Sequence, residues 1–117
     1  MAKIDYSNFA FPKKGKVKDK KVLKNVKREY CFLCGQTGTD ISAHHIIPRS
    51  FRRLDIEENL VPLCEFSKDG PGCHKLMDSP DWMFYTAQIL KKLPKSRIDI
   101  LREESKEWSF WEFWDKQ

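Results

Sequence analysis

The chain has 117 residues, a hydrophobic fraction of 40% and a formal net charge of +5, which fits one domain with a modest core and a polyanionic partner. No run approaches the roughly 20 apolar residues of a membrane span, and Met1 to Pro12 lacks the charged-then-apolar layout of a secretory signal. The expected setting is therefore cytoplasmic, where thiols stay reduced and cysteines serve as metal ligands sooner than as disulfides.

Residues 13–28 hold nine Lys or Arg against one acid, Asp19. This is a basic arm, solvated for its own part and able to add salt-dependent contact with phosphates. Tyr30 to Gly35 contains a C-x-x-C followed by glycine, a turn that lets two thiolates converge. Ile41 to Ile47 reads as a first strand ended by Pro48, and residues 49–58 as a polar loop carrying Arg49, Arg52 and Arg53. Leu60 to Cys64 is a short apolar run, a second strand, with Pro62 marking an edge or irregular pairing. Ser67 to Gly72 is a loop, and a short helix begins near Cys73 with His74, Leu76 and Met77.

Ser79-Pro80-Asp81 predicts a further helix start, with Ser79 as cap, Pro80 in the first position and Asp81 favouring the positive helix end. Trp82, Tyr85, Ile89 and Leu93 recur at helical spacing until Pro94. Ser96 with Asp99 resembles a capping box for a last helix running to about Asp115, with Ile98, Leu101, Trp108 and Trp111 as its buried stripe. Phe110, Phe113 and Trp114 make its end aromatic on more than one face. Core packing is the simpler reading; the other is a surface for a homodimer or a protein partner.

Cys31 and Cys34 supply one pair of soft ligands; Cys64 and Cys73, with eight residues between them, supply the second if the intervening glycine-rich turn loops out. The competing reading is four buried free thiols. All three histidines, His44, His45 and His74, lie in the same region. Neighbours on a strand face opposite ways, so His44 and His45 divide into a metal ligand and a base. Phosphodiester hydrolysis needs both, a base for the attacking water and a cation for the phosphoryl charge.

In their order, Cys31-Phe32-Leu33-Cys34, Ala43-His44-His45-Ile46-Ile47-Pro48, Glu58-Asn59-Leu60-Val61-Pro62-Leu63-Cys64 and Cys73-His74-Lys75 resemble the HNH endonuclease family in its four-cysteine zinc form. The resemblance spans residues 31–77. It implies an α+β fold with a small ββα-metal core and a structural zinc site. The basic arm (residues 1–28), the core (29–79) and C-terminal helices packing on it (80–117) would form one domain. By the same resemblance His45 is the general base, and Asn59 fixes the inter-strand loop and helps orient that base. His44 and His74 bind the catalytic ion, and Cys31, Cys34, Cys64 and Cys73 bind structural zinc.

The family's cuts leave 5′-phosphate and 3′-hydroxyl ends, and its minor-groove docking implies low sequence specificity. Arg49, Arg52, Arg53 and Lys75 are the expected DNA contacts. The chain departs from the family where His44 replaces a common acid and where Cys64 and Cys73 stand far apart. An imidazole in place of the acid favours Zn²⁺, Ni²⁺, Mn²⁺ or Co²⁺ over Mg²⁺. The competing function is a non-catalytic zinc-binding nucleic-acid module; a third is a scaffold acting through the Trp-rich helix. Restriction, homing, repair and phage packaging are all compatible with these residues.

Overall fold

The computed structural model describes residues 15–67 and 70–117, so the arm before Gly15 and the Lys68-Asp69 tip lie outside it. Described elements are α1 (Lys20–Asn25), β1 (Ile41–His45), a 3-10 turn (Glu57–Asn59), β2 (Leu60–Cys64), β3 (Phe66–Ser67), β4 (Gly70–Pro71), α2 (Cys73–Leu76), α3 (Trp82–Lys91), α4 (Lys95–Glu104) and α5 (Phe110–Asp115). This is a small mixed α/β core with helices on either side of it in sequence.

β1 and β2 form an antiparallel pair in which Ile41 faces Cys64 and His45 faces Leu60. The first strand stops at His45, short of Ile47. Beyond it, Asn59 stands in for a partner strand: its carbonyl accepts from Ile46 N at 2.8 Å and its side-chain Oδ1 from Ile47 N at 2.7 Å. The excess between Cys64 and Cys73 does fold out, as the small β3–β4 hairpin.

The arm has a seat from Gly15 onward. Val17 makes a parallel bridge to Leu54, donating to Arg53 O at 2.9 Å and accepting from Asp55 N at 2.6 Å. Asp19 then caps α1, accepting from the main-chain N–H groups of Lys21 and Val22.

Helix boundaries differ from the expected ones. α3 begins at Trp82 with Asp81 as its uncapped N-cap. Ser79 instead serves the preceding turn, its hydroxyl donating to Leu76 O at 2.7 Å and accepting from Asp81 N at 3.3 Å. No Ser96–Asp99 box forms; Pro94 holds the N-cap position of α4, and Asp99 pairs with Lys95 one turn back.

The single last helix is in fact two, α4 and α5. At the break, Ser105 donates to Leu101 O at 2.6 Å and receives the Trp111 indole N–H on both its carbonyl and its hydroxyl at 3.0 Å. The bend turns Trp108 back to stack on Trp82 at 6.0 Å between ring centres. Trp108, Phe110 and Trp111 are therefore core residues, joined in one buried cluster with Ile89, Leu90, Leu101, Val61, Leu63, Cys31, Cys64 and Cys73.

Candidate functional site

The four cysteines meet. Their sulfurs all lie within 4.8 Å of one another, with Cys34 and Cys64 Sγ 3.8 Å apart. A tetrahedral ion with metal–sulfur bonds of about 2.3 Å sets sulfurs about 3.8 Å apart, the spacing of the Cys34–Cys64 pair, so the cluster is of a size that zinc can draw together. Main-chain N–H groups already point at the sulfurs, Cys34 N to Cys31 at 3.5 Å and Cys73 N to Cys64 at 3.3 Å.

Burial opposes ionisation of Cys31, but hydrogen bonds from the Cys34, Cys64 and Leu33 main chain outweigh it and bring its pKa to about 7. Burial pushes Cys64 and Cys73 up, and the negative charge of Cys31 adds to the shift. Four thiolates this close need a cation to coexist. Gly72 makes the second half of the cage feasible: a Cβ there would sit 2.2 Å from Cys64 O and 2.6 Å from Glu65 C.

Two faces of the hairpin carry the histidines. His44 approaches His74, which stands on α2, with ring centres 5.3 Å apart and planes at 74°. Two imidazoles on one tetrahedral ion, at metal–nitrogen distances of about 2.1 Å, have ring centres about 5 Å apart, close to the spacing of this pair. Burial, reinforced by the charges of His74 and His45, lowers the His44 pKa to about 3. The ring is thus neutral at pH 7 with a lone pair to give. His74 is oriented through Nδ1, 2.7 Å from Glu65 Oε1 and 3.4 Å from Ser42 Oγ. A carboxylate on one ring nitrogen aims the other at an ion.

His45 turns the other way. Only 9% exposed, it places Nε2 2.7 Å from Asp55 Oδ1. All three histidines line one cleft of about 510 Å³, but their rings do not converge on one point. Among the described residues, the cysteines are the one group of three or more potential ligands close enough to hold an ion as they stand. The cleft is lined by His44, His45, His74, Arg49, Arg28 and Asp78, among others.

Asn59 is fully buried and spends its side chain on Ile47 and Leu54 of the inter-strand loop. It fixes that loop from beneath and does not line the cleft.

The arginines separate. Arg49 lines the cleft and is exposed, as is Lys75. Arg52 is not available in the way expected of a phosphate contact. Its guanidinium bonds Gly15 O at 2.7 Å, Glu104 O at 3.1 Å and Glu104 Oε1 at 2.8 Å, tying arm, loop and the end of α4 together. Arg53 likewise faces inward, donating to Asp55 Oδ2 from Nε at 3.0 Å and Nη2 at 2.9 Å.

Sequence reasoning missed Asp55, Glu65, Asp78 and Arg28. Asp78 follows His74 at i+4, in the turn just past the end of α2, and both line the cleft; that spacing was readable. Asp55 and Glu65 gave no signal, because their partners are set by the tertiary fold.

Residues 31–66 match the family model described as HNH endonuclease. That segment is similar to HNH endonucleases. It takes in the first three cysteines, both vicinal histidines and Asn59. Cys73 and His74 lie past the HNH match and join it through the cage and the His44 contact. Comparison with curated proteins and with solved structures gives no match.

Proposed function

We propose that the protein is a metal-dependent HNH endonuclease that hydrolyses DNA phosphodiester bonds. It nicks one strand per visit with low sequence specificity. The observation that carries this reading is the His44–His74 pair, spaced for one cation, at a cleft that His45 also lines. A simple binding module has no use for two facing imidazoles at a cleft beside a third imidazole held on a buried carboxylate.

His44 and His74 would hold a divalent ion, with Asp78 at the same cleft to complete its shell. Such an ion, when bound, offsets charge on the phosphoryl and leaving oxygens. His45 takes a proton from the attacking water, a role worth roughly 10²–10⁴-fold. Imidazole ligands favour Zn²⁺, Ni²⁺, Mn²⁺ or Co²⁺ over Mg²⁺. The cysteine cage holds structural zinc and keeps the hairpin and α2 in register.

Grip on the backbone comes from Arg49, Lys75 and Arg28, with Lys20, Lys21 and Lys24 exposed on the docked arm. The ββα-metal arrangement of β1, β2 and α2 presents this edge to the minor groove. Four free cysteines fit a cytoplasmic setting. No described helix is long and apolar enough to cross a membrane.

Plasmid nicking with metals restored after chelation tests the reading. Wild type should nick best with transition metals, and His45→Ala should keep its zinc but lose nicking. Tight DNA binding by wild type without turnover under any metal would establish the non-catalytic module instead.

A further inference from the structure

Asp55 is a buried acid that the reaction above leaves unused. It is 1% exposed, yet it is surrounded by donors. Oδ1 faces His45 Nε2 at 2.7 Å. Oδ2 receives Arg53 Nη2 at 2.9 Å, Arg53 Nε at 3.0 Å and the main-chain N–H of Asp19 at 2.9 Å. Its own N–H donates to Val17 O at 2.6 Å. The two carboxylate oxygens thus do different things: one meets the base, the other meets the arm and an arginine.

We propose that Asp55 is the positioning residue for His45, fixing the imidazole with its proton on Nε2 and leaving Nδ1 as the nitrogen that accepts the proton from water. The N-terminal arm completes this device through the Asp19 N–H. The proposal rests on the nuclease reading for its kinetic consequence, but not for the tautomer it assigns.

The chemistry follows from donor and acceptor counts. An ionised carboxylate only accepts, so the nitrogen facing it must carry the hydrogen. A neutral imidazole has one N–H and one lone pair, which places the lone pair on Nδ1. As the water oxygen bonds to phosphorus and the bond to the leaving oxygen breaks, the water proton moves to Nδ1. The Nε2 proton stays where it is, and Asp55 stabilises the imidazolium without being protonated.

The asymmetry of the carboxylate makes a sharp test. In Asp55→Asn, the amide oxygen must occupy the Oδ2 position, because three N–H donors converge there. The amide NH₂ then faces His45 Nε2 and donates to it. That forces the ring proton onto Nδ1, the position that has to accept. Asp55→Ala loses the support but leaves the tautomer free.

A role in shape or packing alone predicts the reverse order, since asparagine keeps the size of aspartate and alanine does not. The expected result is that Asp55→Asn lowers single-turnover kcat by about 10³-fold or more, the scale of a base held in the wrong tautomer. Asp55→Ala should fall less, by about 10–100-fold, with KM for DNA little changed in both. Asp55→Ala more damaging than Asp55→Asn would overturn the assignment.

Ring-nitrogen NMR of zinc-loaded protein carrying ¹⁵N-histidine gives a second readout, independent of turnover and of how the variants fold. The His45 signals of wild type should show a protonated Nε2 and a bare Nδ1, and those of Asp55→Asn the opposite. A wild-type Nδ1–H tautomer would rule the proposal out. Should wild type fail to nick with every metal, the nuclease reading falls, and these spectra still decide whether Asp55 fixes His45.

Discussion

Asn59 makes three side-chain hydrogen bonds, accepting from Ile47 N and donating to Ile47 O and Leu54 O, all fully buried. Removing the amide strands main-chain groups that no water reaches, at about 1–3 kcal/mol for a buried unsatisfied group. Asn59→Ala should therefore cost about 2–3 kcal/mol in urea unfolding. It should also blunt nicking indirectly, because the loop it fixes carries Asp55. An unchanged urea midpoint would show that the loop holds itself.

His44 gives a pH prediction. Its folded pKa is depressed to about 3, below the ordinary histidine value, because burial and two neighbouring imidazoles disfavour its charged form. Between about pH 6.5 and 3 the unfolded chain takes up this proton more readily than the folded one, so acidification destabilises the fold across that window. With no divalent ion added, wild type should lose stability relative to His44→Gln as pH falls from 6.5. The difference should be on the order of 1–2 kcal/mol, discounted for a ring that keeps an edge in water. Cysteine protonation affects both proteins alike and drops out of the comparison. Parallel stability curves would mean that the ring is charged without cost.

At the scale of elements, the hairpin, the knuckles and the short helix were legible because their signals are local. An apolar run made β2, a C-x-x-C-Gly made the first knuckle, and glycines marked the fold-out before Cys73. The end of β1 was not legible, since Ile46 and Ile47 continue an extended run and only Asn59 decides where strand pairing gives way to a side chain. The break between α4 and α5 carries no proline or glycine; it is imposed by Trp111 reaching back to Ser105 and by Trp108 stacking on Trp82. The inward turn of Arg52 and Arg53 was hidden for the same reason: the Glu104 and Asp55 carboxylates that claim them are tertiary neighbours.

Gly72 belongs at this scale because it is where two elements touch. Adding a methyl group at a site whose nearest main-chain atom would be 2.2 Å away forces Cys64 and Cys73 apart. Gly72→Ala should destabilise by about 2–4 kcal/mol and release zinc faster to a chromogenic chelator. Release at the wild-type rate would show that the β3–β4 hairpin absorbs the shift.

The whole molecule has two anchors, the cysteine cage and the aromatic cluster, and a single buried cluster runs between them from Cys31 to Trp111. The sheet linking them has only two strands, a unit that is marginal on its own. A structural zinc contributes roughly 10–16 kcal/mol in small folds at pH 7, as large as the whole stability of a typical domain, about 5–15 kcal/mol. Metal removal should therefore reach beyond the cage. All four tryptophans, Trp82, Trp108, Trp111 and Trp114, lie in the C-terminal helical half, so their fluorescence reports on the end of the core remote in sequence from Cys31 and Cys34. A strong chelator should shift tryptophan emission to the red and collapse the far-UV helical signal together, and added zinc should restore both. If the tryptophans kept their native emission while the metal left, the helical half would be a separately stable body. The cage would then stabilise the hairpin and α2 alone.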